Sequence, residues 1–143
     1  MSCPYFFPLE PRGRQGDSQT ALLPLGNLWD GLCRAPGRDC SPDDTALHSL
    51  CHLGYARGVC PHVAPDDPGP DAVRFTVRRD DGASVHLYYV LERDHHPFAQ
   101  GPLEYSRERA EFLDQPAGPI VARQAEAYVA SYLRSKERAA VSR

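Results

Sequence analysis

The sequence predicts a small α+β protein with an irregular cysteine-bearing N-terminal half, an antiparallel β-hairpin and a C-terminal amphipathic helix. Prolines recur through residues 1–40 and interrupt any regular period. Two stretches of alternating apolar and polar residues follow a proline-rich loop, and an apolar stripe at helical spacing comes last. A chain of 143 residues has the usual size of one domain. We therefore expect a single domain over 1–143, with a metal-site half at 1–63 and the hairpin and helices at 72–143.

Composition restricts the classes of partner and compartment. The hydrophobic fraction of 41%, the charged fraction of 24% and the net charge of −3 are typical of ordinary soluble proteins. No apolar run reaches the roughly 18 residues that could span a bilayer, and the first residues lack the pattern of a signal peptide. Basic residues are not concentrated as in nucleic-acid-binding domains. We expect a cytoplasmic protein whose partner is another protein or a redox partner, with no nucleic acid and no membrane.

The first 40 residues show no helical or strand period, so we predict an irregular arm there. Its apolar residues nevertheless come in clumps, such as Tyr5-Phe6-Phe7 and Leu28-Trp29, which indicates that the arm packs against the rest of the chain. A long irregular segment costs conformational entropy to order, and a bound metal would offset that cost.

Residues 41–54 have the signals of a short helix. Ser41 is a suitable N-cap, Pro42 suits the first helical position, and Gly54 lies just past the end. The helical spacing turns Cys51 inward together with its apolar neighbours.

Residues 72–79 and 83–92 are predicted to form a β-hairpin. They alternate apolar and polar residues and flank a three-residue loop that ends at Gly82, which suits the left-handed conformation. Pairing residue 79 with 83 would place Val73 opposite Tyr89 and collect the apolar side chains on one face.

Two further segments complete the prediction. Residues 93–105 are expected to form a loop with a short extended end, and Ser106 could cap a brief helix to about Asp114. A last helix is expected from about 120 to 139, covering one face of the hairpin. Its apolar stripe consists of Val121, Ala125, Tyr128, Val129, Tyr132 and Leu133, and its solvent side carries Arg123, Glu126, Arg134 and Lys136.

The cysteines are the main indication of function. In a reducing compartment, five cysteines fit metal ligands or buried thiols better than a disulfide framework. No CxxC pair occurs, which disfavours structural zinc, although His52 or His62 could replace a thiolate. Bacterial ferredoxin motifs end in Cys-Pro, and this dipeptide occurs here twice, at 3–4 and 60–61. Iron–sulfur ligation is therefore favoured over zinc.

The preferred ligands of the metal or cluster are Cys3, Cys33, Cys51 and Cys60. Cys40 is left out because it lies in a polar stretch before the predicted helix, where no apolar wall is expected. A competing set replaces Cys3 with Cys40, on the view that Cys3 belongs to a frayed terminus. Five unrelated buried thiols are the remaining alternative.

Three functions follow as hypotheses. The first is a 4Fe-4S protein that acts in electron transfer or as a cluster-stapled accessory subunit of a larger complex. The second is a zinc-stapled protein-interaction module. The third is a small enzyme that uses the Asp94-His95-His96 loop with Glu104 nearby. A Cys60–His62 nucleophile pair is disfavoured because the two residues are only two apart. No catalytic motif completes a mechanism, so we assign no catalytic residues and favour a protein that is not an enzyme.

Overall fold

The computed structural model describes residues 1–11, 24–26, 28–35, 39–113 and 118–141. Two antiparallel sheets and a long C-terminal helix form the α+β arrangement that the sequence predicts. The small sheet pairs strands β1 (Phe6–Pro11) and β2 (Trp29–Cys33). The larger sheet has the order β3 (Ala72–Asp80), β4 (Ser84–Arg93), β5 (His96–Ser106) and β6 (Glu111–Phe112). The helices are α1 (Asp44–Ala46), which continues into a π-helical turn (Leu47–Cys51), and α2 (Pro119–Val141).

The small sheet corrects the expectation of an irregular arm. In β1 and β2, Phe6 lies opposite Cys33, and the two strands approach so closely that a Cβ at Gly31 would lie 2.2 Å from the Phe7 carbonyl oxygen. The prolines of β1 are tolerated because, among the described residues, β1 pairs with β2 alone, so its other edge needs no N–H donors. The expected packing is present, since Phe6 and Trp29 are buried in the core.

The short helix begins later than the sequence predicts. Asp43, rather than Ser41, is the N-cap, because its carboxylate accepts a hydrogen bond from the backbone N–H of Ala46 at 2.8 Å. The following π-helical turn buries Leu47 and Cys51. Gly54 has a positive φ of 77°, and a Cβ there would lie 2.8 Å from the Cβ of Ala72. The predicted glycine past the end therefore permits both the backbone turn and the approach to β3.

The hairpin is confirmed, but its register is shifted by two residues. Val73 lies opposite Leu91 rather than Tyr89, and a bulge between Val77 and Arg79 changes the register further on. The Asp81 carboxylate closes the loop by accepting hydrogen bonds from the backbone N–H groups of Ala83 and Ser84, at 3.1 and 2.7 Å. A shift of two positions keeps the same side chains on the buried face, which is why the apolar pattern did not distinguish the two registers.

Residues 96–106 form β5, so the predicted loop and the helix after Ser106 are wrong. β5 pairs with β4 along its length, and a turn then leads into β6. The Ser106 hydroxyl does accept a hydrogen bond from the N–H of Arg109 at 3.1 Å, as in a helix N-cap. Ala110 then adopts a positive φ of 54°, which is incompatible with a right-handed helix at this position. The predicted end of this helix, near Asp114, lies outside the described residues.

Helix α2 is confirmed and covers the inner face of the larger sheet. Val121, Ala125 and Val129 are buried in one core with side chains of β3, β4 and β5. The rings of Phe75 and Tyr128 lie 5.5 Å apart. The same helix also packs against β1, which brings the two ends of the chain together. In the part of the chain that the structure describes, no helix combines the length and apolar character needed to cross a membrane.

Candidate metal centre

A cavity of about 670 Å³ lies between β2, the π-helical turn and residues 56–63. All five cysteines contribute to its wall. Cys3, Cys33 and Cys51 are buried, whereas Cys40 and Cys60 are partly exposed. The four residues predicted as ligands therefore lie around one space, and the fifth thiol lies beside them.

Two similar turns present Cys3 and Cys60 to this cavity. Each is a β-turn that begins at the cysteine and has proline in its second position, where the fixed φ of proline suits the turn. The carbonyl oxygen of Cys3 accepts the N–H of Phe6 at 3.1 Å, and that of Cys60 accepts the N–H of Val63 at 3.0 Å. The repeated Cys-Pro dipeptide thus corresponds to a repeated local structure.

In the second turn the backbone N–H two residues after the cysteine points at its sulfur: the N–H of His62 donates to the Sγ of Cys60 at 3.5 Å. In the first turn the backbone N–H of Tyr5 counteracts part of the rise in the Cys3 pKa. Hydrogen bonds of this kind stabilise thiolate ligands and tune the potential of a bound metal or cluster.

Backbone contacts join the other two ligand segments to the first turn. The N–H of Cys3 donates to the carbonyl oxygen of Cys51 at 2.9 Å. The N–H of Arg34, directly after Cys33, donates to the carbonyl oxygen of Tyr5 at 2.8 Å. Three of the predicted ligands are therefore held by one connected set of backbone hydrogen bonds.

The thiols influence one another electrostatically. Burial raises the pKa of Cys51 to about 12, and repulsion from the charged forms of Cys3, Cys33 and Cys60 adds to the rise. Burial likewise raises the pKa of Cys3 to about 12, with added repulsion from Cys33 and Cys60. At neutral pH these thiols are protonated, and metal binding would release their protons.

These shifts predict that the metal-free, reduced protein loses stability above pH 9. In the unfolded chain a thiol ionises at its ordinary pKa of 9.0, whereas Cys3 and Cys51 stay neutral in the folded protein until about pH 12. The stability that the folded protein has relative to the unfolded chain through these neutral thiols is thus fully present below pH 9. As pH rises further, the free energy of unfolding falls by about 1.4 kcal/mol per thiol and pH unit. Denaturant unfolding between pH 8 and 9.3, where tyrosines with their ordinary pKa of 10.0 are still mostly protonated, measures the onset of this slope.

The variant Cys51→Ala should show a smaller slope than the wild-type protein, because one thiol with a raised pKa is gone. Cys40→Ala serves as the matched control, because it removes a partly exposed thiol and leaves Cys3 and Cys51 in place. An unchanged slope in Cys51→Ala would contradict the proposed origin of the pH dependence.

Helix α2 holds the Cys3 turn in place through Gln124, which is fully buried. Its side-chain amide donates to the carbonyl oxygens of Cys3 and Phe6, both at 2.8 Å, and accepts the Ser2 hydroxyl at 2.6 Å. Arg123, predicted for the solvent side, instead donates to two carbonyl oxygens of β1 at 2.6 and 2.8 Å. The arm that carries Cys3 is therefore attached to the C-terminal helix and is not frayed.

His52 does not belong to the metal site. Its Nε2 accepts the N–H of Trp29 at 3.1 Å, so Nδ1 carries the proton and donates to the carbonyl oxygen of Leu47 at 3.0 Å. Both nitrogens are used, which corrects the suggestion that this histidine could replace a thiolate. His62 does line the cavity, with its Nδ1 4.0 Å from the Sγ of Cys40.

The side chains do not converge on a single point. Within the described ranges, no group of three or more histidine, cysteine or acidic side chains is arranged to hold one metal ion. A structural zinc ion requires four ligands within about 2.3 Å of the metal. The described residues therefore give no support to a preformed single-ion site.

The Asp94-His95-His96 segment forms the tight turn between β4 and β5. Asp94 and His95 have positive φ values of 52° and 65°, and the His95 ring stacks on Tyr55 with a centroid distance of 4.5 Å. Glu104 lies eight residues along β5 from His96, roughly 25 Å away at the usual rise of a strand. The structure therefore does not bring Glu104 to these histidines.

The roles of Gln124 and His52 in supporting the site were not predicted from the sequence. A signal was present for Gln124, since its position continues the helical spacing of Val121, Ala125 and Tyr128, where a polar residue must find buried partners. Comparisons with known proteins give no relative: no protein-family model, curated protein or solved structure matches the chain. Functional assignment consequently depends on the residues of the cavity.

Proposed function

We propose that this protein binds an iron–sulfur cluster, most simply 4Fe-4S, through Cys3, Cys33, Cys51 and Cys60. The observation that carries the proposal is the pair of Cys-Pro turns on the wall of one cavity, the second of which has a backbone N–H that donates to the cysteine sulfur. Such N–H groups are a recognised means by which proteins stabilise cluster thiolates. A bound cluster would supply one-electron redox chemistry.

We favour a cluster over a single zinc ion because the thiols line the wall of a cavity of about 670 Å³. They also lie near enough to repel one another when charged. The ligands of a 4Fe-4S cluster bind four separate iron atoms at the corners of a cube, so their sulfur atoms stand farther apart than those around zinc. The thiols would need to remain reduced, which suits the cytoplasm.

Electron transfer is the favoured role within this proposal. Cys60 is partly exposed at the cavity. A ligand near the surface shortens the path to a redox partner. A role as a cluster-stapled accessory subunit would use the same four ligands.

Metal and sulfide analysis of protein purified without oxygen tests the proposal. We expect about four iron atoms and about four acid-labile sulfides per chain, with broad visible absorbance that bleaches on reduction. Stoichiometric zinc without sulfide would replace the cluster with the zinc-stapled interaction module. A chain with neither metal, even after reconstitution with iron and sulfide under reducing conditions, would leave five ordinary thiols.

A further inference from the structure

Cys33 and Cys40 are directly opposite each other in a short antiparallel pairing. The N–H of Cys33 donates to the carbonyl oxygen of Cys40 at 2.7 Å, and the N–H of Cys40 donates back at 3.3 Å. In such a pair the Cα atoms are about 5.5 Å apart, and the side chains point to the same face. Both residues line the cysteine cavity, consistent with that shared face.

We propose that Cys40 is an oxidation site, and that a hydroperoxide converts Cys33 and Cys40 to a disulfide that removes Cys33 from the cavity's ligand set. The backbone already has a suitable separation, because disulfides usually join Cα atoms about 4.4–6.8 Å apart. The disulfide itself requires no metal, whereas its effect on cluster loading rests on the proposed function.

The reaction is a balanced two-electron oxidation. Hydrogen peroxide transfers one oxygen to the sulfur of Cys40, which gives a sulfenic acid and one water. The sulfur of Cys33 then attacks that of Cys40, the S–O bond breaks, and the hydroxyl leaves with the Cys33 proton as a second water. Cys40 meets the oxidant first because it is partly exposed, whereas Cys33 is buried.

Such a disulfide would be readily reversible. Directly opposed residues have Cβ atoms about 4.5–5.5 Å apart, whereas a relaxed disulfide has a mean Cβ separation of about 3.8 Å. Closing the bond must therefore pull the two segments together, and strained disulfides are the ones that thiol reductants open most easily. The pair has the properties of a switch rather than of a structural bridge.

No other cysteine pair has this arrangement among the described residues. Cys3 and Cys51 share one backbone hydrogen bond, from the N–H of Cys3, rather than a reciprocal pair. The isolated bridge that joins two cysteines is the one between Cys33 and Cys40. We therefore expect oxidation to select this pair from the five thiols.

Peptide mapping of the metal-free, full-length protein tests the disulfide. After treatment with equimolar hydrogen peroxide and alkylation, cleavage after arginine and before aspartate separates the cysteines: Cys33 falls in peptide 30–34, Cys40 in 39–42 and Cys51 in 44–57. We expect a reducible link between 30–34 and 39–42, retained in Cys60→Ser and absent in Cys40→Ser. A dominant link from 30–34 to 44–57, or no link at Cys40, would overturn the proposal.

A second measurement tests the effect on metal loading. Peroxide-treated wild-type protein should reload iron and sulfide only after addition of a thiol reductant, whereas treated Cys40→Ser should reload without it. Equal reloading by both proteins would refute the switch. Failure of reduced wild-type protein to load iron would instead refute the proposed function, and the peptide map would still decide whether the disulfide forms.

Discussion

Replacing Cys3 with alanine should abolish cluster binding, whereas replacing Cys40 should leave it intact. Cys3 is buried on the cavity wall, and repulsion from the charged forms of Cys33 and Cys60 adds to the rise in its pKa, as expected for a member of the ligand set. In metalloproteins, loss of a residue that hydrogen-bonds to a metal ligand lowers metal affinity by roughly 10- to 100-fold. Loss of the ligand itself should therefore reduce the retained iron at least roughly tenfold. Iron and sulfide per chain, measured on anaerobic protein, give the result.

The two variants also decide between the two candidate ligand sets, which differ only in these residues. Cys51→Ala is the positive control because Cys51 belongs to both sets and must lose the cluster in either case. Far-ultraviolet circular dichroism should confirm that helix α2 is retained in every variant. Loss of iron in Cys40→Ala with retention in Cys3→Ala would select the competing set, and retention in all three would refute cluster binding at this cavity.

Replacing Gln124 with leucine should lower the free energy of unfolding by about 3 kcal/mol. Leucine has a similar size but cannot form hydrogen bonds. The carbonyl oxygens of Cys3 and Phe6 therefore lose their Gln124 donor, and the Ser2 hydroxyl loses its Gln124 acceptor. Each buried hydrogen bond contributes about 1 kcal/mol, and unsatisfied buried groups add to the loss. For a chain of this size the melting temperature should fall by about 10 °C.

Gln100→Leu is the matched control because Gln100 is exposed on β5. It should change the free energy of unfolding by less than about 0.5 kcal/mol. Denaturant titration of both metal-free variants measures the difference. If Gln124→Leu matched the control, the attachment of the N-terminal segment to α2 would not contribute to stability as the contacts indicate.

The elements predicted correctly were those whose sequence pattern is local. The hairpin has its alternation and Gly82, and α2 has its apolar stripe, so each could be identified without knowledge of its neighbours. β5 could not be identified in this way, because Pro97, Gly101 and Pro102 give it the composition of a loop. Most of β5 has a strand on one side only, and proline is tolerated at a free edge once β4 supplies the pairing.

The candidate site was predictable as a set of cysteines but not as an arrangement. The repeated Cys-Pro dipeptide indicated two positions of interest, whereas the N–H group that donates to the Cys60 sulfur could be seen only in the folded turn. The pairing of Cys33 with Cys40 depends on β2 and its neighbouring backbone, which have no periodic signal. Contacts between distant segments carry no local sequence pattern, so propensities could not reveal them.

The attachment of Cys3 to Gln124 also has a consequence for biosynthesis. The two residues are 121 positions apart, and a ribosome releases the N-terminal segment long before α2 is made. The nascent chain therefore carries five unshielded thiols and lacks the contact that fixes the first of them. Assembly of the native cavity must therefore wait until α2 has been synthesised, and any metal would be delivered after that point.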